Sequence, residues 1–157
     1  MTLQHGFEQE LSKLGSGGSA TVAANDGPRQ LTCDVVELNS LAVSFNQLRL
    51  ETVELASADA PRLERMGKAL AARLTYLMEP IAPIEIDAQA CTVQLRSNPP
   101  QRDDDGRSYY ELMVRRGGEI TLNRYRKENG DARRQIAATV TREVLLRLVG
   151  DFCTVLE

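Results

Sequence analysis

The fold is decided by one stretch, residues 108–153, which reads SYYELMVRRGGEITLNRYRKENGDARRQIAATVTREVLLRLVGDFC. In its first half, apolar and polar side chains alternate on either side of Gly117-Gly118. A period of two is typical of strands that bury one face. The stretch therefore predicts a β-hairpin that leads directly into a helix.

The length of the hairpin loop decides which side chains share a face. A two-residue loop would put the two apolar rows on opposite faces, and a slip of this kind would bury charged side chains. A three-residue loop from Arg116 to Gly118 needs a positive φ at its end, which glycine adopts without steric cost. We predict this longer loop, which pairs Val114 with Ile120 and Leu112 with Leu122. On the other face it pairs Arg115 with Glu119, Glu111 with Asn123 and Tyr109 with Tyr125.

The second half of the stretch predicts one long amphipathic helix. Asp131 is a suitable N-cap for it. Apolar residues then recur at helical spacing, at Ile136, Val140, Val144, Leu148 and Phe152. The end of this helix is apolar beyond one stripe, whereas a helix on a sheet needs only about a third of its circumference apolar. A second covering surface is expected, either another element of this chain or a second copy.

The remaining elements follow from periodicity and from turn residues. We predict a short helix at residues 4–14, strands within 30–55, a helix at 57–78 capped by Asp59, strands within 84–95 and a solvated loop at 97–107. The expected fold is α+β and two-layered. It has an antiparallel sheet of about five to six strands, two long helices packed on one face and a short N-terminal helix. Residues 1–19 form the first helix and a flexible joint, and residues 20–157 form a single domain.

Two points stay open at this level. Residues 41–55 form either one bulged strand or two short strands, because the alternation slips at Asn46-Gln47. The first helix either folds back on its own sheet or acts as a swapped arm, because Gly15–Ser19 is flexible by composition.

The composition offers few side chains that could support catalysis or bind a metal. The chain has 157 residues, of which 42% are hydrophobic and 26% charged, as in ordinary soluble domains. No apolar run is long enough to span a membrane. Cys33, Cys91 and Cys153 lie far apart, and no pair of cysteines or histidines has zinc-ligand spacing. His5 is the only histidine. We therefore expect a cytoplasmic, non-enzymatic protein without a metal or another cofactor.

One group of residues is a candidate binding surface. Residues 107–147 hold ten basic and five acidic side chains, although the whole chain has a net charge of −3. The cluster combines basic and aromatic residues, as a surface for an anionic partner would. Its members are Tyr109, Arg115, Arg116, Tyr125, Arg126, Lys127, Arg133 and Arg134. The competing interpretation is that carboxylates of the same chain neutralise these arginines.

The sequence favours a protein-binding module, adaptor-like or chaperone-like, that self-associates as a homodimer. Three features support this interpretation. The last helix is more apolar than contact with one sheet requires, the first helix is attached by a flexible joint, and the sequence lacks recognisable catalytic groups. The alternative is a module that binds single-stranded nucleic acid or phosphate through the basic and tyrosine-bearing hairpin face. A pI near 5.3 weighs against that alternative.

Overall fold

The architecture is one large antiparallel sheet with helices on one of its faces. It is seen in a computed structural model that describes residues 2–157. The helices are α1 (Leu3–Ser12), α2 (Ala60–Arg73) and α3 (Arg142–Thr154). The strands are β1 (Ala20–Asp26), β2 (Arg29–Leu38), β3 (Ala42–Thr52), β4 (Ile81–Asp87), β5 (Thr92–Ser97), β6 (Gln101–Arg102), β7 (Gly106–Arg115), β8 (Glu119–Glu128), β9 (Arg134–Ile136) and β10 (Ala138–Thr141).

The predicted sheet of five to six strands with two long helices is wrong. The sheet has ten strands, and seven of them follow the order β1-β2-β3-β8-β7-β5-β4, while β6, β9 and β10 pair at its margins. The antiparallel α+β arrangement is present. The additional strands come from short polar segments, in which apolar and polar residues do not alternate clearly. β1 is one of these, since the sequence ATVAAND has little apolar surface.

The predicted hairpin register is confirmed. β7 and β8 pair Val114 with Ile120 and Leu112 with Leu122, and the pairing continues as far as Gly106 and Glu128. Gly118 has a φ of +103° and accepts a hydrogen bond from Thr52 N–H at 2.8 Å. The loop therefore also joins the hairpin to the end of β3.

Residues 42–52 form one long strand with a bulge. β2 pairs Cys33 with Leu48 and Val35 with Phe45, so that one more residue of β3 than of β2 lies between the two pairs. The slip seen at Asn46-Gln47 is this extra residue. The alternative of two separate strands is excluded for this segment.

The long helix predicted from Asp131 to Cys153 is wrong in its first half. β9 and β10 occupy residues 134–141, and the N-cap of α3 is Thr141, whose hydroxyl accepts a hydrogen bond from Val144 N–H at 3.1 Å. The β-branched run at Thr139–Thr141 favours a strand over a helix. Apolar residues at positions i and i+4 fit a strand as well as a helix, because four is a multiple of two.

β9 and β10 fill a fork in the sheet. β3 and β8 pair with each other only over Gln47–Glu51 and Glu119–Asn123. Beyond that point β9 pairs with β8, and β10 pairs with β3. The chain reverses at Ala137, at the vertex of the fork. We call this feature the sheet fork.

The core lies between the sheet and the helices. Leu112, Leu122 and Leu48 are fully buried on this side. Gly67 brings α2 close to the sheet, because a Cβ there would lie 3.2 Å from side-chain atoms of Val93 and Leu95. The predicted cap of α2 is confirmed, since Asp59 accepts a hydrogen bond from Arg62 N–H at 2.9 Å.

α1 supplies the second covering surface for α3. Phe7 and Leu11 are fully buried, and Gln4 donates a hydrogen bond to Leu146 O at 2.7 Å. A Cβ at Gly150 would meet the Gln4 side chain at 3.0 Å, so the two helices are in close contact. The first helix therefore folds back on its own chain, and the apolar excess of α3 needs no second copy.

The predicted loop at 97–107 contains a short hairpin. β6 pairs with the start of β7, and Asp103 accepts hydrogen bonds at 2.9 Å from the N–H groups of both Asp105 and Gly106. The three aspartates thus form a turn that the first of them organises.

Replacement of Gly118 tests the hairpin loop. Gly118→Ala should lower the free energy of unfolding by about 2 kcal/mol or more, because of the positive φ and because the new Cβ would collide with Thr52 O. Gly117→Ala is the matched control, since nothing lies within 4 Å of its Cβ. Urea unfolding of both variants measures the difference, and equal stabilities would contradict the loop geometry.

Candidate functional site

The sheet has two chemically different faces. Alternate residues of a strand point to opposite faces, so Tyr110 and Leu112 point towards the helices while Tyr109 and Glu111 point away. We call the face without helices the outer face. Although no element of residues 2–157 is layered over it, Tyr109 is 2% exposed and Glu111 6% exposed. Long polar side chains therefore cover the centre of this face.

Arginines and tyrosines are stacked around Glu111. Arg133 donates a hydrogen bond to Glu111 Oε2 at 2.6 Å, and Arg96 donates one to the same oxygen at 3.3 Å. The Arg133 guanidinium lies 3.9 Å from the ring centroid of Tyr125, and that of Arg96 lies 4.6 Å from the ring centroid of Tyr109. Both contacts fit cation–π geometry. Three of the predicted site residues, Tyr109, Tyr125 and Arg133, thus form one internal cluster with a carboxylate.

The other predicted arginines also face acidic partners or lie apart. Arg126 lies 2.9 Å from Asp103 and 2.7 Å from Glu128, and the Arg126 guanidinium lowers the pKa of Asp103 to about 2. Arg134 approaches Glu128 at 3.4 Å. Arg115 pairs with Glu119 at 2.9 Å.

Arg116 and Lys127 complete the predicted set. The Arg116 guanidinium lies 3.4 Å from the sulfur of Cys91, at the hairpin tip. Lys127 forms no salt bridge within the described chain. The hairpin brings the cluster together only in part, and neighbouring carboxylates neutralise most of its charge.

A groove that sequence reasoning missed lies on the helix side of the sheet fork. Three adjoining hollows of about 550, 350 and 440 Å³ all have Met78 in their walls. Leu77, Pro80, Tyr110, Thr139 and Val144 also contribute, and we call this surface the Met78 groove. Met78 is 88% exposed and holds a φ of +65°, just after the last turn that follows α2.

A buried ion pair forms the base of the Met78 groove. Arg124 lies 3.0 Å from Glu79, and both side chains are close to nine-tenths buried. The Arg124 guanidinium stacks on Tyr110 at 4.4 Å and donates a hydrogen bond to Gln101 at 3.1 Å. Ser97 donates to Glu79 at 2.6 Å. The pair is neutral overall, so the groove offers apolar walls without a strong field.

The groove has only a weak signal in the sequence. Met78 and Glu79-Pro80 read as the end of a helix, and Pro99-Pro100 reads as a loop. By the alternation of β8, Arg124 points to the same face as the apolar Ile120 and Leu122. A charged side chain on that face needs a buried partner. That mismatch is the one local sign of a special environment on this side of the hairpin.

Two of the three cysteines lie in surroundings that disfavour an ionised thiol. Burial raises the pKa of Cys33, which is fully buried, and also that of Cys153. His5 is exposed on α1. The three cysteines are unpaired. The reactive thiolate form is thus disfavoured at two of the three cysteines.

Comparison with protein-family profiles, with curated proteins and with solved structures finds no match to this chain. In the part of the chain that the structure describes, every helix is too short or too polar to cross a membrane.

Replacement of Arg133 tests the outer-face cluster. Arg133→Met should reduce the free energy of unfolding by about 1–3 kcal/mol, because the buried Glu111 carboxylate loses its shortest charge-assisted hydrogen bond. Arg134→Met is the neighbouring control. It should cost less than about 0.5 kcal/mol, because this side chain is 62% exposed and its ion pair is long. Chemical denaturation measures both values.

Replacement of Arg133 should also change how the stability of the fold depends on pH. Burial raises the pKa of Glu111, but hydrogen bonds from Arg133, Gln94 and Arg96 outweigh it and lower the pKa on balance. A lowered pKa stabilises the fold above the pKa of the unfolded chain, and this contribution is lost as the pH falls through the folded-state pKa. Arg133→Met should therefore lose stability at a higher pH than the wild type. An unchanged acid profile would contradict the proposed pairing.

Proposed function

We propose that the protein is a non-enzymatic protein-binding module, adaptor-like or chaperone-like, which self-associates through the Met78 groove. The observation that carries this proposal is the 88% exposure of Met78 at the meeting point of three adjoining hollows. A large apolar side chain in such a position remains in water unless a partner covers it.

The chemistry of the groove suits a protein segment better than a charged ligand. Its walls combine aliphatic, proline and tyrosine side chains with the polar Gln101 and Thr139, and its buried charges cancel within the Arg124–Glu79 pair. Methionine is flexible and polarizable, so it adapts to different apolar partners. An uncharged, partly apolar surface of this kind gains free energy mainly by burying apolar area.

A second copy of the chain is the partner to which we commit. Leu41, which is 78% exposed, precedes Ala42, and Ala42 lines one of the hollows together with Met78. Met78 and Leu41 are the two most exposed large apolar side chains of the described residues. A two-fold interface needs projections and hollows within one patch, and this surface provides both.

A cytoplasmic, non-catalytic role agrees with the side-chain chemistry. Unpaired cysteines are ordinary in a reducing compartment. The raised pKa values of Cys33 and Cys153 do not favour a thiolate nucleophile at these positions. The nucleic-acid alternative gains no support from the outer face, because carboxylates neutralise Arg115 and Arg133 there.

Replacement of Met78 tests the interface. Sedimentation equilibrium of the wild-type chain should reveal a monomer–dimer equilibrium. Met78→Glu should raise the dimer dissociation constant at least about tenfold, which corresponds to about 1.4 kcal/mol, because it places a charge in the apolar groove. The side chain is exposed, so the variant should fold normally.

Val53→Glu is the matched control. Val53 is 71% exposed and does not line the groove, so this variant should dimerise like the wild type. A wild-type chain that remains monomeric at every accessible concentration would refute self-association. A dimer that Met78→Glu leaves intact would place the interface elsewhere and refute the role of the groove.

A further inference from the structure

The outer face contains a polar cup that none of the functions above uses. It encloses about 310 Å³ and lies across β3, β8, β7 and β5, on the side of the sheet opposite the Met78 groove. It is lined by Gln47, Gln94, Glu111, Met113, Arg115, Thr121, Asn123, Tyr125 and Arg133. Its walls carry far more hydrogen-bonding groups than apolar atoms.

The floor of the cup has hydrogen-bonding capacity that the protein does not use. Thr121 as a residue is only 6% exposed, but its hydroxyl is not among the enclosed unpaired polar atoms of residues 2–157, so this group stays open to the cup. An accessible hydroxyl without a protein partner can both donate a hydrogen bond to, and accept one from, a molecule that fills the hollow. Water or a ligand in the cup would complete the hydrogen bonding of this group.

The amides beside Thr121 are held in place. Gln47 donates a hydrogen bond to Asn123 Oδ1 at 3.1 Å, and Asn123 donates one to the Tyr125 hydroxyl at 3.4 Å. The first bond crosses from β3 to β8, the second runs along β8, and together they fix the orientation of the side chains. A ligand in the cup would therefore meet groups that are already positioned, which reduces the entropic cost of binding.

Charge decides between a neutral and an ionic ligand. Arg133 is paired with Glu111 at 2.6 Å, and Arg115 is paired with Glu119 at 2.9 Å. A free anion would meet the Glu111 carboxylate, and a cation would meet the two guanidiniums. A neutral molecule with several hydroxyl groups avoids both conflicts, because each hydroxyl donates one hydrogen bond and also accepts.

We propose that this cup binds a neutral polyhydroxylated molecule of the size of one sugar ring, with Thr121 as a direct contact. A carboxylate accepts from hydroxyl groups, guanidiniums donate to them, and the amides of Gln47, Gln94 and Asn123 do both. The volume lies at the lower end of the roughly 300–1,000 Å³ that is usual for ligand sites, which suits a single ring rather than a chain of sugars.

Titration of the full chain with free monosaccharides tests this proposal. Glucose, galactose and mannose are the probes, and amide chemical shifts of β8 and β7 are the readout. At least one sugar should produce saturable shifts centred on Thr121 and Asn123. Thr121→Val, which keeps the shape and removes the hydroxyl, should weaken its binding about tenfold, as expected for one lost hydrogen bond.

Two further variants make the result unambiguous. Gln94→Leu should weaken binding as well, because it removes an amide from the wall of the cup. Thr32→Val should leave binding unchanged, because Thr32 lies on β2, outside the cup, where it pairs with Arg49. Titration with glucuronate should give weaker binding than with glucose, since its carboxylate would face Glu111.

Absence of saturable shifts with every sugar, or binding that Thr121→Val leaves unchanged, would overturn the proposal. Stronger binding of glucuronate than of the neutral sugars would overturn it as well. The cup and the Met78 groove lie on opposite faces, so this outcome is independent of the dimerisation experiment.

Discussion

The structure depends on the antiparallel register of the β7–β8 hairpin. Gly118 sets that register by closing a three-residue loop against the end of β3. Every residue of β7 and β8 is thereby assigned to one of two faces, and a shift of one residue would exchange the faces. The hydrophobic core, the Met78 groove and the polar cup all follow from this assignment. Tyr110 and Arg124 belong to the helix side, whereas Glu111 and Asn123 belong to the outer face.

Internal pairing of opposite charges explains how an acidic chain can carry a strongly basic segment. Several arginines of residues 107–147 meet carboxylates from the same segment, as in Arg133–Glu111 and Arg115–Glu119, or from the preceding turn, as in Arg126–Asp103. Since these side chains are partly buried, each pair is screened less by salt than an exposed pair would be. The outer face is therefore a cohesive polar layer with little net charge.

Local signals and non-local contacts differ in how far sequence reasoning recovers them. The hairpin register, the Asp59 cap and the slip in β3 depend on neighbours along the chain, and all three were predictable. The segment 134–141 was not, because its apolar spacing fits both a helix and a strand. Pairing with β3 and β8 decides between the two, and those partners lie far away in sequence. The same reason hid the Met78 groove, since Met78 and Thr139 are distant in sequence and line the same hollows only in the folded chain.

The sequence by itself determined the alternation of the central hairpin, the glycine that turns it, the Asp59 cap of α2 and the antiparallel α+β class. These properties depend on residue types and on spacings of a few positions, where steric and hydrogen-bonding preferences act directly. Only the tertiary structure decided how many strands join the sheet, that α1 covers α3, which carboxylate meets each arginine, and where the two hollow surfaces lie. Each of these features depends on contacts between residues that are distant in sequence. The free energy of such contacts depends on the whole packed arrangement, because no short stretch contains both members of the contact.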